Sequence, residues 1–484
     1  MSTLPDALAR LVWPAVRASR GEAALEVLRP LFEAGGPGGV IVFGEGAGGV
    51  DRLIARLRLA APGPLLVAAD LERGCGQQVR EYSSLPPAMA LAACTDAQAA
   101  HDAGLLTAIE ARQAGIDVVF APVADVNTAD TNPIIATRSF GDDPGRVARL
   151  AAAFTDGLTE GGVLAVAKHF PGHGSTVQDS HDELARVTRT REELEAIDLV
   201  PFAHLVAHGV PGLMVGHLEV PALDPVAGRP ATLSPAVVRD VLRARLGHDG
   251  LVVTDALDMR GVPQRPDTAP ACLRAGCDVL LMPPDPAAAL DALRAELSSG
   301  ALDADLAAAA LERHARAEAL CARGRSAPPR AVQPDLSRTL LAGSLTSNAR
   351  PFPTAAAGST VEVVAYGDDP TGIVVPAFCE TLRAHGVQLG PSEHRVGLVM
   401  TSVAAHLGTS RLPERERARL GWALERRRLS VLVVLGSPYE MLALPGHQAA
   451  ILAYEPSPAA AAQAARVVLG RSAAPGRLPV GSRR

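Results

Sequence analysis

The only lysine in 484 residues is Lys168; every other basic side chain among the 46 Lys plus Arg is an arginine. It opens the stretch KHFPGHGSTVQDSH, residues 168–181, which also carries His169, His173 and His181, three of the chain's 13 histidines. A chain that writes Arg everywhere else and Lys here points to a compact ammonium, a point donor for hydroxyl groups, where a planar guanidinium cannot substitute. Asp179 and His181 stand two apart in a loop that opens with Pro171, Gly172 and Gly174. A carboxylate accepting from one imidazole nitrogen fixes the tautomer and leaves the other nitrogen to exchange a proton with a substrate. Because an unperturbed imidazole titrates near pH ~6.5, it can both give and take that proton at neutrality. The third group is Asp255 in LVVTDALDM, an acid ending a continuous aliphatic run, where an unpaired carboxylate is costly. It is either a reacting carboxylate or a helix cap, with Asp258 as a rival of the same chemistry; the strand-end position favours Asp255. His169, His173, Asp179 and His181 are enough ligands for zinc, but Pro171 and Gly172 interrupt any helical His-x-x-x-His pair. No metal and no cofactor is expected.

Groups so far apart in the chain need a scaffold that brings strand ends together. Eight short aliphatic runs recur in the first two thirds: 11–16, 39–44, 65–70, 117–123, 163–170, 212–218, 251–257 and 277–283. Runs of this length, continuous rather than alternating, suit strands buried on both faces, as in a parallel sheet wrapped by helices. The intervening segments 106–115, 148–158 and 237–246 read as helices with polar faces. Eight strands with helices between them predict a (β/α)8 TIM-like barrel. Pro14 interrupts the first strand. Asp70, Lys168 with His169, His217 and Asp255 all lie at or just beyond predicted carboxyl ends of strands, the face where barrel enzymes assemble their chemistry.

The segment 322–337, rich in Pro, Arg and Ser, reads as a connector. After it, the runs 361–367, 396–402, 429–437 and 450–455 alternate with helical stretches, the pattern of a smaller α/β sandwich domain. The expected organisation is a barrel over 1–325, a linker and connecting helix over 326–358, and an α/β domain over 359–484. A net charge of -6 and no dense basic run beyond Arg426, Arg427 and Arg428 leave no footprint for nucleic acid or an anionic membrane. The six scattered cysteines read as reduced thiols. The first residues lack a signal-peptide pattern, and no run of 18 or more apolar residues occurs, which reads as a cytoplasmic protein. A small-molecule partner fits best; the oligomeric state is not encoded legibly.

KHFPGHGSTVQDSH closely resembles the signature of family 3 glycoside hydrolases of the β-N-acetylhexosaminidase type, in which a barrel loop carries an Asp-x-His dyad. AADLERG (68–74), FAPVADVNTADTNPIIATRSFGDDP (120–144), VVTDALDM, LGSPYEML, ILAYEPSP and GRLPV agree with it, so the resemblance covers most of the chain. It implies Asp255 as nucleophile, His181 as general acid then base, and Asp179 as the group orienting His181. It also implies that Asp70, Arg138, Lys168 and His169 hold the hydroxyls of a terminal N-acetylglucosaminide, a role to which His217 is added from its matching strand end. The implied reaction is retaining double displacement, with a histidine in place of the second carboxyl that most retaining enzymes hold about 5 to 5.5 Å from the nucleophile. Turnover of cell-wall fragments is the implied setting. The chain departs from the family at Ser175, where Asp is usual, at Thr254, where Ser is common, and after Asp70, where LERGCGQQVR replaces a Gly-Gly-Arg-Val pattern. The competing functions are phosphorolysis by the same site, since a neutral imidazole does not repel an incoming phosphate, a β-glucosidase, and a sugar-binding protein without turnover.

Overall fold

The computed structural model describes all residues except 1–2, 22, 27, 46–47, 178–182, 329, 332–334, 349–353, 370, 402–411, 446–447 and 482–484. Residues 1–84, 100–126 and 147–332 form one compact unit; 85–99, 127–146 and 333–484 form a second.

In the first unit the aliphatic runs become β1 (Val12–Trp13), β2 (Ala15–Arg17), β3 (Gly39–Phe43), β4 (Leu66–Ala69), β5 (Val118–Val119), β6 (Leu164–Phe170), β7 (Gly212–Val215), β8 (Leu251–Thr254) and β9 (Leu280–Leu281). Strands β2 to β8 pair in chain order, every pair parallel. A bridge between Val253 and Val279 carries the ladder from β8 towards β9, and β9 pairs with β1. What closes the ring is the break at Pro14. Lacking an N–H, Pro14 can accept in a ladder but cannot donate. Ahead of it, the Trp13 carbonyl accepts from Met282 N at 2.8 Å; at it, the Pro14 carbonyl accepts from Ile41 N at 3.1 Å. One extended stretch therefore serves β9 before the proline and β3 after it, which makes β1 and β2 the first of eight barrel staves.

Side chains alternate along a strand, so a single line per strand faces the barrel interior. Leu66 and Ala68 on β4, Leu164 and Val166 on β6, and Leu251 and Val253 on β8 belong to one interior cluster with Trp13, Ile41 and Phe120. The long helix Ala304–Ser326 covers the amino ends of the strands. Its Arg313 pairs with Asp278 at 2.8 Å and its Arg325 with Asp117 at 2.6 Å, each acid sitting just ahead of a strand. Its Ala317 and Cys321 enter the interior cluster. Gly38 lies so close to this helix that a Cβ there would fall 2.1 Å from His314 Nε2. The carboxyl ends of the strands lie at the end of the barrel away from this helix. The helix also runs through 322–326, so the predicted connector starts later than its composition suggests; Pro328 follows the end of the helix, where a proline cannot extend it.

The second unit is a six-stranded sheet of β10 (Thr346–Ser347), β11 (Thr360–Tyr366), β12 (Gln388–Leu389), β13 (Arg395–Met400), β14 (Val431–Leu435) and β15 (Ala450–Leu452). The order is β10-β15-β14-β13-β11-β12, parallel except between β10 and β15. Helices Val374–Ala384 and Pro458–Val468 cover one face, packing Phe378, Leu382, Ala461 and Ala465 on the sheet. Helix Glu414–Glu425 and the short helix Ala88–Ala93, through Met89 and Ala90, cover the other. Asn127 Nδ2 donates to the Tyr439 hydroxyl at 2.6 Å, and Gly481 N donates to Asp142 at 2.7 Å, which ties segment 127–146 into this unit. The architecture is thus a TIM-like barrel and a smaller α/β sandwich.

Candidate active site

The period of two that sends Leu66 and Ala68, Leu164 and Val166, and Leu251 and Val253 into the barrel core puts Asp70, Lys168 and Asp255 next on the same three inward lines. All three stand at the carboxyl ends of their strands. Lys168 Nζ lies 2.6 Å from Asp70 Oδ1 and 2.7 Å from Glu72 Oε1, and the lysine is only 3% exposed. An ammonium this deep needs opposite charge at contact distance, and two carboxylates supply it. Two acids along the β4 exit and one amine of three donors make a compact polar cluster of the kind that grips vicinal hydroxyls. Glu72 went unnoticed in the sequence; its signal was its place two residues beyond Asp70 in a short acidic strand exit.

Asp255 is partly buried. Its backbone N–H donates to the Val215 carbonyl at 2.8 Å, and its Oδ1 accepts from Ala256 N at 2.9 Å. The Thr254 hydroxyl accepts from Leu281 N at 3.0 Å. A serine hydroxyl would serve that bond equally, so the departure at this position leaves the strand end intact.

A second acid missed in the sequence organises the histidines. Asp125 is fully buried. Its Oδ2 faces His169 Nδ1 at 2.8 Å and the His169 N–H at 3.2 Å, while its Oδ1 accepts from His173 N at 2.6 Å. The segment carrying it runs beside β6, with Lys168 N donating to Pro122 O at 3.0 Å and Ala124 N to Lys168 O at 2.6 Å. Burial pushes the Asp125 carboxyl up, but the imidazole charge and hydrogen bond of His169, aided by His173, hold it below the usual 3.8. Burial pushes His173 down to about 4, and its Nδ1 contacts the Thr176 hydroxyl at 2.6 Å. His173 is therefore neutral across the working range of an ordinary enzyme and is no proton shuttle there. We expect Asp125→Ala to reduce kcat/KM by about 10²-fold, the scale of an ångström-level misplacement of substrate-positioning groups. Steady-state kinetics on folded protein, checked by circular dichroism, measures this.

The loop after β6 packs on a further buried acid. Gly172, at φ +128°, approaches so closely that a Cβ would lie 2.8 Å from Asp198 Cβ. Asp198 is fully buried and contacts Arg189 Nε at 2.7 Å, yet burial raises its carboxyl to about 7. The sign follows from proton uptake. Between pH ~3.8 and ~7 the folded chain keeps this proton while the unfolded chain has lost it, so the group's stabilisation is complete in acid and lost as pH rises through 7. Asp198→Asn removes that dependence. The stability of the wild type relative to the variant should fall by about 1.4 kcal/mol per pH unit across that window, measured by denaturant unfolding at several pH values.

His217 is fully buried, and both ring nitrogens are engaged: Nδ1 with the Thr232 hydroxyl at 2.9 Å and Nε2 with the Ala256 carbonyl at 2.9 Å. It braces the chain beside Asp255, a placement unlike that of the sugar ligand predicted for it. The inward line of β7 runs through Met214, two residues short of Gly216, and His217 is off it. Arg138 ends the short helical turn Ala136–Arg138 in a segment of the second unit, its guanidinium donating to the Ile134 carbonyl at 3.2 Å. Asp179 and His181 lie outside the described residues. Among the described residues no group of three His, Cys, Asp or Glu side chains is arranged to hold a metal ion, and no helix is long and apolar enough to cross a membrane.

Comparison with known proteins shows what the chain is similar to. A β-hexosaminidase of Alkalilimnicola ehrlichii is 40% identical over 270 residues, covering 53% of this chain and 76% of that one. That of Idiomarina loihiensis is 36% identical over 280 residues, covering 56% and 83%. Among solved structures, a glycoside hydrolase family 3 β-N-acetylglucosaminidase from Paenibacillus sp. str. FPU-7 matches 99% of both chains at a TM-score of 0.82 and 26% identity. A β-glucoside phosphorylase, BglX, shares the fold at a TM-score of 0.85 and 22% identity, over 99% of this chain and 93% of that one. Residues 26–317 match the glycosyl hydrolase family 3 N-terminal domain. A chain with these relatives and this family match, its strand-end acids and single lysine at the carboxyl ends of a barrel's strands, belongs to glycosyl hydrolase family 3 and is a glycoside hydrolase.

Proposed function

We propose that the protein is a retaining, exo-acting β-N-acetylglucosaminidase that removes terminal β-linked N-acetylglucosamine, with cell-wall fragments as its source. The observation that carries the reading is the shared inward register of Asp255, Lys168 and Asp70 at the carboxyl ends of the barrel strands. Similarity to proteins named β-hexosaminidase supports the sugar class.

In this reading Asp70, Lys168 and His169, with Glu72 beside them, hold the hydroxyls of the terminal sugar. An Asp255 oxygen attacks the anomeric carbon as the glycosidic C–O bond breaks, and His181, oriented by Asp179, gives its proton to the departing oxygen. The now neutral imidazole takes a proton from water, whose oxygen attacks the same carbon and frees the Asp255 carboxylate. Two inversions give net retention. His217 acts by holding the backbone next to Asp255.

A panel of aryl β-glycosides differing at C2, assayed with and without inorganic phosphate, tests the proposal. The expected result is strong preference for the 2-acetamido sugar, release of the free sugar as its β-anomer, and no product change on adding phosphate. A sugar 1-phosphate product would replace hydrolysis by phosphorolysis, preference for the plain glucoside would make the chain a β-glucosidase, and binding without turnover would leave a sugar-binding protein.

A further inference from the structure

The second unit holds a cavity of about 600 Å³ beside the helix Glu414–Glu425, lined by Tyr366, Arg395, Arg415, Arg419, Trp422 and Arg428 over an aliphatic floor. That volume falls in the range of small-molecule sites, and the lining departs from the rest of the chain. The protein carries a net charge of -6, yet four guanidiniums meet here. Two have carboxylate partners: Arg395 pairs with Glu362 at 2.7 Å, and Arg419 with Glu416. Arg415 and Arg428 form no ion pair among the described residues, which leaves a local surplus of two positive charges.

Aromatic rings fix two of these arginines in place. The Arg419 guanidinium lies 5.3 Å from the Tyr366 ring centre, and that of Arg428 lies 4.4 Å from the Trp422 ring centre. Stacking of this kind occupies the face of a guanidinium and leaves its edge donors directed outwards, in a fork that matches phosphate or carboxylate oxygens. A solvated arginine face needs neither the cavity nor the aromatic supports. Like charges collected around a concave floor are stabilised by an anion that fills it.

We propose that this cavity binds a small organic phosphate, its phosphoryl group held by Arg415 and Arg428 and its organic body laid on the floor formed by Val364 and Leu429. The surplus of two charges matches a phosphomonoester, which carries about -1.5 to -2 at neutral pH, better than a monocarboxylate. The volume exceeds what a bare phosphate fills, which is why the ligand carries a body. The site belongs to the second unit and is independent of the hydrolase reading.

Fluorescence supplies a direct test on the full chain, because it has two tryptophans and Trp13 is fully buried while Trp422 is 47% exposed. Titration with glucosamine 6-phosphate and with adenosine monophosphate separates a sugar phosphate from a nucleotide as the source. Glucosamine, adenosine and inorganic phosphate serve as controls, and calorimetry as the second measurement. The expected result is a saturable change with at least one ester and binding weaker by roughly 10-fold or more for its unphosphorylated counterpart, the scale of one charge-assisted hydrogen bond. The variant Arg415→Ala/Arg428→Ala should lose that binding and retain glycoside hydrolysis. The proposal is overturned if neither ester binds by either method up to roughly 10 mM, the weak end of small-molecule binding. It is equally overturned if the double variant binds undiminished, or if inorganic phosphate binds as tightly as the esters.

Discussion

Asp255→Ala is expected to lower kcat on aryl N-acetylglucosaminides by on the order of 10⁴-fold or more, the scale of removing one member of a cooperating catalytic set. The side chain stands at the end of β8 on the line of Leu251 and Val253, so its loss leaves the barrel core untouched. The variant should keep its thermal transition. Truncation also leaves space where the carboxylate stood. A small anion such as azide, placed there, attacks the anomeric carbon from the same side and yields the α-glycosyl azide, inverted relative to the β-substrate. Recovery of activity by azide with that product, followed by NMR, assigns the nucleophile; an Asp255→Ala enzyme that retained near-native kcat would remove Asp255 from the mechanism. Asp258→Ala is the control, since the same chemistry three residues on is the rival named by the sequence, and its activity should stay close to that of the parent.

Much of this geometry was legible because each barrel strand is a continuous aliphatic run, and a strand buried on both faces tolerates little else. The same continuity hid which residues face inward, since alternation cannot be read from an unbroken apolar string. That is why His217 read as a sugar ligand: it ends a strand, but the inward line of β7 passes through Met214 and leaves the imidazole to Thr232 and the Ala256 carbonyl. Asp125 and Glu72 were missed for a related reason. Each is one acid in a short strand exit, and only the return of β6 past residues 122–125, or the reach of Lys168 towards β4, gives it a partner. The grouping of 127–146 with the second unit rests on contacts such as Asn127 with Tyr439, more than 300 residues away, which no local pattern announces. The two-residue strands β10 and β12 are too short to carry a period. Pro14, read as a flaw in the first strand, is where that stretch changes partners.

His181→Ala carries the second large effect, and its size should depend on the leaving group. General acid assistance contributes about 10²–10⁴-fold when the departing oxygen is a poor leaving group. An alkyl or sugar alcoholate needs the full proton; a 2,4-dinitrophenolate leaves without it. The loss in kcat/KM should therefore be near the top of that range for a disaccharide and small for the dinitrophenyl glycoside. With the activated substrate, the second step becomes limiting, because no imidazole remains to deprotonate water, and the glycosyl ester on Asp255 should accumulate, visible as a burst of phenolate and by intact-protein mass. Azide, which needs no base, should then restore turnover and give the β-glycosyl azide, the opposite anomer from that expected with Asp255→Ala. Such a contrast separates the two roles even if both variants are equally slow. The other histidines give a second check. His173, held neutral by burial with its value near 4, cannot supply the proton, and His169 is committed to Asp125, so neither should replace His181. A uniform loss across leaving groups, with no azide product of retained configuration, would move the proton transfer to another residue and leave the 168–181 loop a binding element alone.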